Sequence, residues 1–346
     1  MRIGSNIIGP GQPCFIIAEA GVNHNGDIKL AKKLIDCAVD SLADAVKFQT
    51  FKADRLVSEG APKADYQART TGDSESQLQM LRRLELSELA HRELMRYCRK
   101  RGIIFLSTPF DESCADFLSR LGVSAFKIPS GEITNLQFLR HLAVFGRPMI
   151  LSTGMATLGE VESAIRTVLA AGNSDLALLH CVSNYPADPK DVNLRAMQTM
   201  AAAFGLPVGF SDHTMGSEVA IAAAALGACI IEKHFTLDRA LPGPDHQASL
   251  EPQELSVMVR SIRNVEAALG HGRKEPVPGE ADTAAVTRKS LVAARDIPRG
   301  TLLTEAMLAL KRPGTGLPPA TLSYVLGRKT RHRIIAGTLI GFEMLS

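Results

Sequence analysis

Short runs of β-branched and aromatic residues alternate along this chain with longer stretches whose apolar residues recur at helical spacing. The runs fall at 15–18, 45–48, 103–106, 125–128, 149–151, 176–179, 207–210 and 229–232, and each predicts a buried strand. Helical patterns lie between them, clearest at 27–38, 88–99, 114–121, 158–169 and 219–226. Eight strands, each followed by a helix-length segment, give an α/β fold of the closed parallel (β/α)8 kind, the TIM barrel. An open doubly wound sheet would carry a glycine-rich phosphate turn after its first strand. Here that strand runs instead into Glu19, Gly21, Asn23 and His24.

The texture changes near residue 275. The stretch 272–280 is rich in Pro, Gly and charge, as linkers are, and beyond it short apolar runs alternate with Gly and Pro to the end. The division this predicts is a barrel domain over 1–272, a linker over 273–288 and a compact β-rich module over 289–346. Composition adds little beyond exclusion. Hydrophobic residues make up 45% and charged residues 22%, as in ordinary globular domains, and a net charge of +3 is too small to signal nucleic acid binding. Residues 1–6 lack a signal peptide's apolar core, and no apolar run is long enough to span a membrane. Six scattered cysteines fit neither a zinc knot nor a disulfide framework, so the expectation is a reduced, cytoplasmic protein.

A barrel gathers its chemistry at the C-terminal ends of its strands, which gives the sequence an internal test. All eight predicted ends are polar: Glu19; Lys47 and Gln49; Thr108; Lys127, Ser130 and Glu132; Ser152; His180 and Ser183; Ser211, Asp212 and His213; Glu232, Lys233 and His234. Polar groups there must be partnered or used, because buried ones otherwise cost free energy. Lys47 and Lys127 with the serine hydroxyls suit a phosphate and a carboxylate held together. His213 and His234, on adjacent strands, can converge on a divalent ion with open positions. A Schiff-base mechanism through Lys47 or Lys127 is the competing chemistry.

Several stretches resemble the signatures of the N-acetylneuraminate (sialic acid) synthase family: IAEAGVNHNG at 17–26, VKFQTF at 46–51, STPF at 107–110, KIPSGE at 127–132, LSTGM at 151–155, FSDHT at 210–214, EKHFTL at 232–237 and GPDH at 243–246. KRPGTG at 311–316 resembles the same family's C-terminal antifreeze-like (SAF) domain, which we read as a lid rather than an ice-binding surface. The resemblance implies a metal-dependent condensation of phosphoenolpyruvate with an N-acetylated hexosamine. It implies manganese or magnesium on His213 and His234, and phosphoenolpyruvate on Lys47, Lys127, Ser130, Ser183 and Ser211. It puts Glu19, Gln49, Glu132, Tyr185 and Asp245 near the sugar, with Glu19 or Glu132 managing protons. It also implies a domain-swapped homodimer in which Arg312 reaches the partner's sugar site. The first expectation for the sugar is N-acetylmannosamine, giving N-acetylneuraminate. The alternative is a 2,4-diacetamido-trideoxy-mannose, giving legionaminate, and a Schiff-base pyruvate lyase stands behind both.

Overall fold

The structure is a computed structural model that describes residues 1–72 and 74–346. Eight parallel strands form one sheet: β1 (Phe15–Gly21), β2 (Ala45–Thr50), β3 (Ile104–Pro109), β4 (Phe126–Ile128), β5 (Met149–Ser152), β6 (Leu176–Cys181), β7 (Val208–Asp212) and β8 (Ile230–His234). Their order is 3-2-1-8-7-6-5-4, so β8 pairs with β1 and the sheet curls into a barrel. The seam lies between β3 and β4, which run side by side with Cα atoms within 8 Å but, among the described residues, share no ladder.

Helices α1 (Ile28–Asp40), α5 (Glu88–Arg101), α6 (Glu112–Leu121), α7 (Leu136–Val144), α8 (Leu158–Ala170), α9 (Arg195–Phe204), α10 (Glu218–Ala225) and α11 (Pro252–Leu269) follow the strands. Local chemistry sets their ends. Asp27, Ser87, Asp111, Asn135 and Thr157 each accept a first-turn amide, satisfying donors the helix leaves orphaned. Gly102, Gly122 and Gly205 close α5, α6 and α9 in the left-handed conformation.

Strand parity divides the interior in two. Residues one apart point to opposite faces, so Ile16, Ala18, Val46, Phe105, Phe126, Leu151, Leu178, Phe210 and Ile231 face outward and form the main core with the helices. Ile17, Ala45, Leu106, Ala125, Ile150, Ala177, Leu179 and Ile230 face inward and fill the lower barrel. Ile3 and Ile8, from a hairpin that pairs Arg2–Ile3 with Asn6–Ile7, join that inner cluster. Two residues further along each strand the same inward face turns polar.

The segment between β2 and α5 departs from the regular repeat. It carries α2 (Ala53–Leu56), α3 (Asp65–Thr71) and α4 (Gln77–Leu84), and it has an apolar core of its own in Val22, Phe51, Met80 and Leu84. The two arginines of α4 turn to carboxylates in the same segment, Arg82 to Asp54 and Arg83 to Glu75, both at 2.5 Å.

The chain divides into two compact units, Met1–Gly270 and His271–Ser346. Within the second, the segment expected as a linker holds a single turn at Pro278–Glu280 and the helix α12 (Ala281–Thr287). Strand β9 (Ser290–Ala293) pairs antiparallel with β10 (Leu308–Lys311) over a core that includes Leu291, Ile297, Val325, Ile334 and Ile340. Among the described residues no helix is long and apolar enough to cross a membrane. All six cysteines are buried and free.

Candidate active site

The inward face of the barrel strands ends in a layer of charge. Lys47 Nζ lies 2.9 Å from Glu19 and 3.8 Å from Glu232, and Lys127 Nζ lies 3.4 Å from Glu232. Lys47 also donates to Thr108 Oγ1 at 3.1 Å, Lys127 to Ser152 Oγ at 2.8 Å, and Ser211 Oγ to Glu232 at 3.0 Å. All four charged residues are no more than 4% exposed, so none is screened by bulk water. Burial raises the pKa of Glu19, and the Glu232 carboxylate adds to it against the pull of Lys47. Burial acts on Glu232 as well, but Lys127 and Lys47 together overcome it and hold the pKa low. Burial also works against both lysine charges. The carboxylates more than offset it at Lys47, whose pKa is raised, and fail to at Lys127, whose pKa is lowered. Two carboxyls with two cations thus split into one firmly ionised group and one poised to exchange a proton.

Above this layer lies a cavity of about 380 Å3. It is lined by Glu19, Lys47, Gln49, Lys127, Ser130, Ser183, Tyr185, Ser211, His213, His234 and Asp245 from the sequence-derived set. Ser130 Oγ accepts from the Gly154 amide at 3.0 Å. A Cβ at Gly154 would lie 2.8 Å from that oxygen and 2.3 Å from Ser183 Oγ, so glycine is what leaves room for both hydroxyls. Tyr185 stacks on Tyr66 of α3 with ring centroids 5.0 Å apart. Burial raises the Asp245 pKa to about 6.

The two imidazoles face each other across 5.5 Å between ring centroids. His213 Nδ1 donates to the Val182 carbonyl at 2.7 Å, which leaves Nε2 as its available nitrogen. His234 Nδ1 is buried with no hydrogen-bond partner, and burial followed by the charge on His213 keeps its pKa well below the ordinary value. Neutral His234, with its orphaned nitrogen, is a suitable donor for a divalent ion. At His213 burial works against the charge, but the neighbouring Cys181 thiol outweighs it and raises the pKa, so an ion there would take the place of a proton. Among the described residues no third His, Cys, Asp or Glu completes a metal-holding group with them. The pair therefore fits an ion whose other positions are filled by substrate or water.

Two residues of the sequence-derived set do not line this cavity. Glu132 ends a single helical turn (Ser130–Glu132) after β4 and accepts from Asn135 Nδ2 at 2.8 Å. Arg312 belongs to the second unit, where it is exposed and donates through Nε to the Thr287 carbonyl at 3.0 Å. Parity also separates strand-end groups that the sequence presents together. His180, Asp212 and Lys233 point outward: His180 Nε2 meets the Val192 carbonyl at 2.6 Å, and Lys233 pairs with Asp212 at 2.8 Å. Glu232 is the residue that sequence reasoning left without a task. Its signal was available, since it stands two places before His234 and so shares that residue's face. Cys181, Thr108, Ser152, Tyr66, Gln67 and Gln77 are among the further lining residues that had not been assigned a role.

A family model for the NeuB family matches residues 34–274, and one for the SAF domain matches 288–346. The chain belongs to the NeuB family. It is 51% identical over 339 residues to the N,N'-diacetyllegionaminic acid synthase of Legionella pneumophila, covering 97% of this chain and 95% of the relative. It is 52% identical over 316 residues to the enzyme of the same name from Campylobacter jejuni, covering 91% and 95%. Among solved structures it is similar to the N-acetylneuraminic acid (sialic acid) synthetase of Leptospira borgpetersenii, with a TM-score of 0.73 and 37% identity over 82% of this chain and 94% of that one. This NeuB-family chain is thus a phosphoenolpyruvate-dependent nonulosonate synthase, a condensing enzyme on a parallel eight-stranded barrel followed by an SAF domain.

Proposed function

We propose that this enzyme makes N,N'-diacetyllegionaminate, condensing phosphoenolpyruvate with 2,4-diacetamido-2,4,6-trideoxy-mannose. The observation that carries the choice of sugar is the identity of 51% and 52% to two legionaminic acid synthases, against 37% to a sialic acid synthetase. The first expectation from sequence, N-acetylmannosamine, therefore gives way to its alternative. A pyruvate lyase finds little support, because both candidate lysines are held in buried ion pairs with carboxylates.

In this reading Lys47 and Lys127 hold the phosphate and carboxylate of phosphoenolpyruvate, with Ser130, Ser183 and Ser211 as hydrogen-bond donors. Manganese or magnesium on His213 and His234 would polarise the sugar's aldehyde oxygen. The enolpyruvyl methylene carbon attacks the aldehyde carbon, water adds at the carbon bearing the phosphate, and phosphate leaves with C–O cleavage. Glu19 is the proton carrier rather than Glu132, because Glu19 lines the cavity and Glu132 does not. Gln49, Tyr185 and Asp245 hold the sugar.

The test offers purified protein phosphoenolpyruvate and manganese with each sugar in turn and follows phosphate release. The trideoxy sugar should react fastest, and chelation should stop it. Equal or faster release with N-acetylmannosamine would return the assignment to sialic acid.

A further inference from the structure

The cavity has two chemically distinct sides. Its charged and metal-suited groups all stand on barrel strands or on the loops that directly follow them. The segment between β2 and α5 contributes a different surface: an apolar patch of Leu56, Val57, Met80, Leu81 and Leu84 beside Tyr66, Gln67 and Gln77, with Gln77 Nε2 donating to Gln67 Oε1 at 3.2 Å. Met80 and Leu84 are buried in that segment's own core, while Leu56, Val57 and Leu81 are only partly covered. The cationic residues of α4 are engaged away from the lining, by Asp54 and Glu75.

The chemistry fixes which end of the sugar meets which side. C1 must lie at the imidazoles and within bonding reach of the anion on Lys47 and Lys127, so the distal carbons extend away from the strand ends. We propose that the α2–α4 wall selects a deoxygenated distal end, reading the C6 methyl and the methyl of the C4 acetamido group. This rests on the legionaminate reading above. The patch of Leu56, Val57 and Leu81 within that wall has no side-chain hydrogen-bonding group, so a C6 hydroxyl set against it would lose its water uncompensated. The C6 methyl gains contact with Leu56, Val57 and Leu81 instead. Apolar pockets discriminate one small group by on the order of 10- to 100-fold in kcat/KM, and that is the scale expected here.

The experiment compares kcat/KM for 2,4-diacetamido-2,4,6-trideoxy-mannose and N-acetylmannosamine in the wild type, Val57→Thr and Leu81→Gln. Val57→Thr keeps the shape and adds one hydroxyl to the wall, and Leu81→Gln keeps a helix-compatible side chain on α4. Each variant's melting temperature and its KM for phosphoenolpyruvate are read alongside. The wild-type preference for the trideoxy sugar should fall about tenfold or more in each variant, with the change carried by the sugar's KM and not by that of phosphoenolpyruvate. If the wild type prefers the trideoxy sugar and folded variants keep the same ratio, the wall is not the selector and the substrate reading still stands. A wild type that prefers N-acetylmannosamine, or uses neither sugar, overturns the substrate reading and the wall with it.

Discussion

Replacing Lys127 with Met removes one cation from the buried four-charge layer and leaves Glu232 facing Lys47 alone. At 3.4 Å and an effective dielectric of about 20, the lost attraction is about 5 kcal/mol. Met retains most of the apolar stem, and the desolvation of the ammonium is recovered, so the net cost in stability is about 3–5 kcal/mol, as for other broken buried pairs. Glu232→Gln in the same chain removes the stranded charge and leaves Lys47 with Glu19 at 2.9 Å as a balanced pair. The double variant should therefore be more stable than Lys127→Met by about 1–3 kcal/mol. Urea unfolding of the wild type, both single variants and the double variant closes the cycle. Anion binding should follow a different course. Titration calorimetry with phosphoenolpyruvate should show Lys127→Met weaker by about 1.5–3 kcal/mol, roughly 10- to 150-fold, with no recovery in the double variant. A double variant no more stable than Lys127→Met would refute the coupling and with it the ionised state assigned to Glu232.

His213→Ala and His234→Ala should each abolish turnover and lower bound manganese, measured by elemental analysis, while melting within a few degrees of the wild type; full activity in a metal-depleted variant would remove the metal from the reaction. Co-expressed Arg312→Ala and His213→Ala chains, each nearly inactive alone, should regain roughly a quarter of wild-type sites if Arg312 serves a partner's barrel in a symmetric dimer. Tagged mixed dimers without recovery would exclude that arrangement. Acid should destabilise the barrel through His24, which is buried with Nδ1 accepting from the Gly26 amide at 3.0 Å and whose pKa burial lowers to about 3. The folded value lies below the unfolded one near 6.5, so the contribution is complete above pH 6.5 and lost as pH falls toward 3, at up to ~1.4 kcal/mol per pH unit. Urea unfolding between pH 6.5 and 4.5 should give a flatter profile in His24→Gln than in the wild type, and identical profiles would contradict it.

The barrel was legible because its signals are local. Each strand is a buried run bounded by polar residues, and five helices announced themselves through periodicity alone. The observed strands run further than expected, to Thr50, Pro109 and His234, because inward-facing polar residues there are paired and need not end a strand. The short helices α2–α4 were not foreseen, since their apolar residues serve a small separate core and show no sustained period. Among site residues, the strand-borne set was readable from position. Glu132 lies off the cavity lining because a helical turn after β4 brings it to Asn135, a change of direction that no spacing rule reports. Arg312 lies in the second unit, bonded to the Thr287 carbonyl, and its expected reach into a partner's barrel rests on the family resemblance alone. The sugar was chosen by similarity of whole chains, because a methyl and a hydroxyl differ by one atom's worth of lining.

The alternation along β8 has a consequence for misfolding. Glu232 and His234 face the cavity while Ile231, Lys233 and Phe235 face the helices, and each charged group has a partner waiting on its own side only. A slip of one residue against β7 and β1 would carry Lys233 into the interior and drive Glu232 among the apolar side chains of α10 and α11. It would break three buried ion pairs at once, Glu232 with Lys127 and Lys47 and Lys233 with Asp212. The acids and bases of the active site therefore also proofread the last pairing that closes the barrel, and weakening them widens the range of wrongly threaded states open to the chain.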